Sequence, residues 1–276
     1  MGSRATPPTF PVLSTIPSDK DLAALPPFTV SIPNGFLPLS PPPVTLPASF
    51  SALTSLLERM SIRTLSEKPG LLATFTLGEA VLCELPDLTE EFDKVKGDLR
   101  VIGALSGFKP FMEYAGSYAL FNYRMQDSSL GMDYSNLRLV RAFEHGLDPA
   151  SSEAGFVLVH VDMVKHSGEL VKGAVKALEA CGNGDRDAFN EGLEGVVKAL
   201  LEVNAVMDGM WKKSKPNDYT SFRTFIFGIT KQSMFPHGVV YEGVSEEPMS
   251  FRGESGANDS MVSGDDDRSW TVRAKS

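Results

Sequence analysis

The 276-residue chain has two cysteines, Cys83 and Cys181, and four histidines. Two cysteines exclude a disulfide framework and any multi-cysteine zinc or iron–sulfur site. So few thiols suit a reducing compartment, and a cytoplasmic location is expected. Of His145, His160, His166 and His237, only His160 and His166 lie close in sequence. Six steps of about 100° point them to different sides of a helix, so no metal site built from protein ligands alone is expected. No apolar run reaches the roughly 18 residues of a membrane span, and the opening MGSRATPPTFP lacks the apolar core of a secretory signal. Positive charge is also short: 26 Lys+Arg face 35 Asp+Glu, a net charge of −9. A nucleic-acid binder needs a basic face to displace counterions, so that class is excluded. There is no phosphate-binding glycine loop ahead of Lys-Ser/Thr, no H-E-x-x-H and no nucleophile elbow.

What remains is the composition of a folded globular chain, 42% hydrophobic and 22% charged, long enough for one or two domains. Twelve of its 19 prolines fall within the first 47 residues. Proline removes an amide donor and breaks helix and central strand alike, so 1–47 reads as an extended arm. Residues 1–20 are expected to be a disordered tail, whereas the apolar piece from Phe28 to Leu39 can pin onto a folded body. Beyond Pro47 the patterning is helical. Phe50, Leu53, Leu57 and Met60 share one face. Further helices are expected over 71–84 and over 99–125, the latter carrying Phe108, Phe111, Tyr114, Tyr118, Phe121 and Tyr123. The fold class is therefore mainly α, with a small N-terminal helical domain over 21–125 and a linker over 126–150. Residues 151–276 would begin a large helical domain. Leu137–Phe143 reads as a short edge strand, and Ser151 or Ser152 as an N-cap. One long helix is expected over 153–181, terminated by Gly182-Asn-Gly. Another covers 186–213 with the apolar stripe Phe189, Leu193, Val197, Leu200, Leu201 and Val206. A buried helix is expected over 219–229.

Two residues stand out chemically. His160 lies within the apolar run Phe156-Val-Leu-Val-His-Val, as a core histidine satisfied by a hydrogen bond or as a ligand contact. Arg223 lies in Phe222-Arg-Thr-Phe-Ile-Phe. It snorkels to the surface, pairs with a structural acid inside, or forms the one fixed cation of an aromatic pocket, which would suit an aromatic carboxylate.

Several stretches together resemble the indoleamine 2,3-dioxygenase family. Ser221-Phe-Arg-Thr-Phe-Ile-Phe-Gly is followed by Gly238-Val-Val-Tyr-Glu-Gly and by Phe251-Arg-Gly-Glu-Ser-Gly-Ala-Asn-Asp-Ser. These match the family's R-x-x-x-x-G helix, G-x-x-Y-E-G turn and G-x-[ST]-[AG]-[AG] loop, in that order. Phe111–Tyr123 resembles its V-Y-A-x-x-x-L-x-N-[WY] helix, and Gly155-Phe-Val-Leu-Val its next pocket helix. The likeness runs from about residue 28 to 262.

The resemblance implies a b-type haem and dioxygenation of L-tryptophan, or a related indole, by O₂. Both oxygen atoms would insert across the indole C2–C3 bond, giving N-formylkynurenine, the first step of the kynurenine route. It implies that Tyr114, Ser117 and Tyr118 line the distal pocket and that Phe156 packs on the indole. His160 stands where the mammalian enzyme has serine and the related tryptophan dioxygenase has a histidine that binds the indole nitrogen. Tyr219 matches one of two adjacent aromatic residues, with Asp218 at the other position. Arg223 would clamp the carboxylate, and Ser255 and Gly256 would form the covering loop. No histidine follows His237, and the likeness stops near Val262. The family's iron-ligating histidine lies downstream of that point, so the chain reads as the front part of such an enzyme. The alternative is an inactive, dioxygenase-like helical protein. If the chain is a fragment, Val157, Val161, Phe222 and Phe225 would help form an exposed apolar patch. A monomer is expected.

Overall fold

The computed structural model describes residues 12–22, 25, 29–51, 54–55, 114–142, 144–223, 228–230, 233, 235–241 and 245–256. The expected helix over 71–84, residues 99–113 of the next one, most of the 50–60 stripe, Cys83 and Phe225 all lie outside them. The protein is mainly α, and its chain divides into two compact units. The first comprises Met1–Pro42, Tyr114–Tyr219 and Ser255–Ser276, the second Pro43–Glu113 and Thr220–Glu254. Among the described residues no helix is long and apolar enough to cross a membrane.

In the first unit the helices are α1 (Asp19–Leu22), α2 (Ser152–Val164), α3 (Ser167–Asn183), α4 (Arg186–Asp208) and α5 (Met210–Lys213). A π-helical segment, Tyr114–Leu120, precedes α2. The strands β1 (Tyr123–Met125) and β2 (Leu137–Leu139) pair antiparallel, with Arg124 opposite Arg138. The helix expected to run through Met125 is therefore corrected. Its described part is a π-helix closed by an i→i−5 bond from Phe121 N to Gly116 O (2.9 Å), and the chain then turns into β1. The edge strand at Leu137 is present.

Ser151 caps α2, its hydroxyl accepting from Ala154 N at 3.2 Å. Asp185 caps α4 in the same way, and Gly184 (φ 71°) closes α3 in the left-handed conformation. The single long helix over 153–181 is corrected to α2 and α3. The interruption has a side-chain cause. The Ser167 hydroxyl donates to Val164 O at 2.5 Å and accepts from Phe36 N at 2.8 Å. It thus bridges the Val164 carbonyl, which a continuous helix would use, to the Phe36 amide of the arm. Gly35 (φ 58°) and Gly168 make this docking possible. A Cβ on Gly35 would lie 2.0 Å from Ser167 Oγ, and one on Gly168 2.6 Å from Ile32 O. The arm is pinned as its apolar content suggests. From the stretch read as a tail, Leu13 joins it, donating to Val30 O at 3.0 Å and accepting from Ile32 N at 2.8 Å.

The helix over 186–213 is interrupted at Gly209, whose N–H bonds Val206 O (3.0 Å) three residues back. Its large apolar stripe does not face the core. Leu193, Val197, Leu200 and Leu201 are exposed. The buried side of α4 is Gly192 and Ala199, and α3 meets it through Gly173 and Ala177. A Cβ on Gly192 would sit 2.7 Å from Ala177 N, so small residues set a close helix–helix approach. The expected exposed patch is not found where it can be checked, because Val157, Val161 and Phe222 are fully buried.

Of the helix expected over 219–229, the described part is one turn, α6 (Tyr219–Phe222), and residues 224–227 lie outside the described residues. Gly228 is non-helical at φ 61°. Ile229 N and Thr230 N both donate to Phe251 O, at 2.8 and 3.1 Å. A Cβ on Gly228 would lie 2.1 Å from Gly253 N, so that position requires glycine. Val239 and Met249 exchange two backbone bonds of 2.9 Å, and the Tyr241 and Phe251 rings meet edge-on at 5.8 Å. The three glycine-containing motifs at 223–228, 238–241 and 251–253 are therefore joined locally.

Candidate functional site

Helix α2 supplies the axis of the site. Ser152, Phe156 and His160 recur every four residues and so share one face. The Ser152 hydroxyl donates to Asp218 Oδ2 at 2.5 Å and accepts from Lys215 N at 3.2 Å. One turn on, Phe156 meets Tyr219 edge-on, with ring centroids 5.5 Å apart. Another turn on, His160 meets Tyr114 edge-on at 5.3 Å, and its Nδ1 lies 3.2 Å from the Tyr114 hydroxyl. His160 is thus buried and hydrogen-bonded, as the bland reading of a core histidine required, and it lies among the residues the resemblance groups around a ligand.

Tyr114 and Tyr118 lie on the buried side of the π-helical segment, with ring centroids 5.7 Å apart. Ser117 lies on its exposed side. The segment is anchored at its end by Asn122. The Asn122 amide donates to Tyr118 O (3.0 Å) and Arg141 O (2.9 Å), and its carbonyl accepts from Arg141 N (2.8 Å). The half-buried pair Ser255-Gly256 completes the group. A Cβ on Gly256 would make ordinary contact with the Tyr114 ring and hydroxyl at 3.7 Å and with His160 Cε1 at 3.9 Å. The loop backbone therefore lies directly over the Tyr114–His160 pair.

Eight of the nine expected residues belong to the first unit, and Arg223 belongs to the second. Arg223 is 2% exposed and follows the fully buried Phe222 in the sequence, so a charged side chain is buried there. Ser152, Asp218 and Asn122 were missed as contributors. Their signals were present: Ser152 stands one helical turn before Phe156, and Asn122 is the asparagine of the L-x-N-[WY] motif.

A family model described as indoleamine 2,3-dioxygenase matches residues 99–266, and all nine expected site residues fall inside that range. The chain belongs to the indoleamine 2,3-dioxygenase family. Mouse indoleamine 2,3-dioxygenase 2 is 27% identical over 157 residues, 56% of this chain and 38% of the relative. The human protein of that name is 25% identical over 56% and 37%, respectively. Mouse indoleamine 2,3-dioxygenase 1 is 24% identical over 156 residues. The matched stretch thus spans under two-fifths of the length of these curated relatives.

Family membership raises the question of an iron ligand. Of the four histidines, His237 is exposed, His145 and His166 are half-buried, and buried His160 has its Nδ1 at the Tyr114 hydroxyl. Among the described residues no group of three or more His, Cys, Asp or Glu could hold a metal ion. Tyr114, Tyr118 and His160 form a buried aromatic group of the kind that can line one side of a haem pocket.

Proposed function

We propose that this chain forms the substrate side of a haem-dependent dioxygenase that cleaves the indole C2–C3 bond of L-tryptophan. The observation that carries the reading is the convergence of Tyr114, His160 and Gly256, three segments distant in sequence, around one buried hydrogen bond. A pocket of this kind combines aromatic walls with a few fixed polar groups. Phe156 and Tyr219 offer ring faces and edges to an indole. His160 and Ser152 are hydrogen-bonding side chains on the Phe156 face of α2, and the resemblance gives Arg223 the role of holding a carboxylate, which a guanidinium does through two parallel bonds. The reaction adds both atoms of O₂ to the substrate and needs no external reductant in its net balance. The haem would supply the oxygen chemistry. This chain's residues would orient the indole and exclude water.

The test is binding first and turnover second. Calorimetric titration should show L-tryptophan bound more tightly by wild type than by His160→Ala or Arg223→Ala, with the fold unchanged by circular dichroism. Equal affinity for all three proteins would refute the reading. A second reading, an indole-binding protein without turnover, is favoured by the state of two histidines: His237 is exposed, and the buried His160 has its Nδ1 at the Tyr114 hydroxyl. Haemin-reconstituted chain that binds L-tryptophan and yields N-formylkynurenine excludes it.

A further inference from the structure

We infer that the outer face of α4 pairs with the same face of a second copy of this chain, the two helices running antiparallel about a two-fold axis at Val197. The face carries Leu193, Val197 and Leu201, which are 43, 56 and 63% exposed, on a helix of 23 residues whose opposite side is packed on α3. Asn190, Leu193, Val197 and Leu201 are among the residues lining a shallow depression, the kind of hole that a side chain from a facing helix fills. An apolar stripe alone does not name its partner. The order of residues along this one does. In an antiparallel two-fold pair, a residue a given number of steps before the axis meets the residue the same number of steps after it. Four steps either side of Val197 stand Leu193 and Leu201, seven steps Asn190 and Asn204, and eleven steps Arg186 and Asp208. At about 100° per residue, all of these lie within about 40° of one line along the helix. Arg186, Asn190, Asn204 and Asp208 are exposed as well. The face is thus its own complement: leucine meets leucine, amide meets amide, and Arg186 meets the carboxylate of the partner's Asp208. Three steps out, Glu194 and Leu200 break the symmetry, but both lie about 60° off the line, at a margin where a carboxylate stays in water.

The charges at the helix ends are an independent sign. A helix favours acids in its first turn and bases in its last. Arg186 opens α4 and Asp208 ends it, so each carries the sign that its own helix end disfavours. In the antiparallel pair each lies beside an opposite charge from the other copy. A parallel pair would instead set arginine against arginine and aspartate against aspartate. The dimer departs from the monomer expected of the sequence. One helix face is a small interface, so a dissociation constant of about 1–100 μM is expected. None of these residues is among those of the proposed pocket, so this inference and the proposed function fail separately.

The test is sedimentation equilibrium of the full chain between about 1 and 200 μM, which brackets that constant. A reversible monomer–dimer equilibrium is expected. Val197→Glu, which sets two carboxylates face to face on the axis, should weaken it at least about tenfold. Arg186→Asp and Asp208→Arg should each weaken it about three- to tenfold, because the contact occurs twice and becomes a like-charge pair both times. Each of these two changes suits the helix dipole, so the thermal midpoint of the dilute monomer should hold or rise while the dimer weakens. Arg186→Asp combined with Asp208→Arg restores opposite charges across the axis and should return the dissociation constant to within about threefold of wild type. A monomer at every concentration overturns the inference. So does association beyond the dimer, or a dimer indifferent to Val197→Glu, because another surface would then hold it. A dimer that the single charge changes leave alone, or that the combined change fails to restore, overturns the antiparallel register. The wild-type series and the charge exchange decide the matter even if Val197→Glu does not fold.

Discussion

Replacing Asn122 by alanine should loosen the segment that carries Tyr114 and Tyr118. The buried Asn122 side chain makes three hydrogen bonds, two as donor and one as acceptor, to Tyr118 O, Arg141 O and Arg141 N. Alanine removes all three. The bond to Tyr118 O is buried, so its loss costs about 1–3 kcal/mol, the range for stranding a buried polar group. The two bonds to Arg141 are only part-buried, and water can replace them at a net cost of about 0.5–1 kcal/mol each. The sum is about 2–5 kcal/mol, a large share of the stability of an ordinary domain. Asparagine to aspartate sharpens the test. The carboxylate can still accept from Arg141 N, but it turns an oxygen toward two carbonyl oxygens where an amide had donated. Asn122→Asp should therefore cost at least as much as Asn122→Ala, although it is closer in shape. Urea unfolding followed by circular dichroism measures both. The reasoning is refuted if Asn122→Ala costs less than about 1 kcal/mol, or if Asn122→Asp is clearly the milder change.

Three further outcomes follow from named contacts. Burial pushes the Tyr123 phenol up to about 12, against about 10 in an unfolded chain; the folded form then keeps its proton longer, so stability is complete below about pH 10 and falls by about 2–3 kcal/mol between pH 10 and 12. Tyr123→Phe should flatten that part of the pH profile of urea midpoints, and an unchanged slope would count against the assignment. A Cβ on Gly155 would lie 2.0 Å from Lys213 O, so Gly155→Ala must separate α2 from α5 at a cost of about 1–3 kcal/mol, visible as a lower thermal midpoint. Arg223→Ala should weaken L-tryptophan by about 2–4 kcal/mol and leave tryptamine, which has no carboxylate, nearly unaffected; equal losses on both ligands in calorimetry would return Arg223 to a structural role.

The parts of the fold legible in the sequence were those decided locally. Ser151, Gly184 and the strand at Leu137 act within a few residues of themselves, and each is where the pattern put it. The α2–α3 break was not legible, because apolar residues run through it without a turn signal. It is decided by the Ser167 hydroxyl together with Phe36, 131 residues earlier in the chain. The facing of α4 was misread for a related reason. Periodicity identifies a helix but not which stripe meets the neighbour, and here close packing through Gly173 and Gly192 selects the small-residue side. The π-helical segment has no sequence period of its own, so its aromatic residues were legible as a cluster and not as a geometry.

The site shows how a family motif can be kept while one of its supports changes. At position 218 the chain carries an aspartate where the family pattern has an aromatic residue, and an aspartate cannot continue an aromatic wall. It does something else: with Lys215 N it engages the Ser152 hydroxyl, one turn before Phe156, and so fixes the backbone from which Tyr219 reaches the Phe156 ring. The same helix face carries His160 one turn further on, where the Tyr114 hydroxyl engages it. A four-residue spacing on α2 thus lines up a hydroxyl held by a carboxylate, an aromatic edge and an imidazole held by a phenol. Each is immobilised by a residue from another segment, which is the arrangement that lets a pocket present fixed polar groups without paying for their ordering when a ligand arrives. His160 and Asp218 are read together for that reason. In the proposed pocket the histidine would add a directional hydrogen-bonding group, and the aspartate secures the helix end on which that group's direction depends.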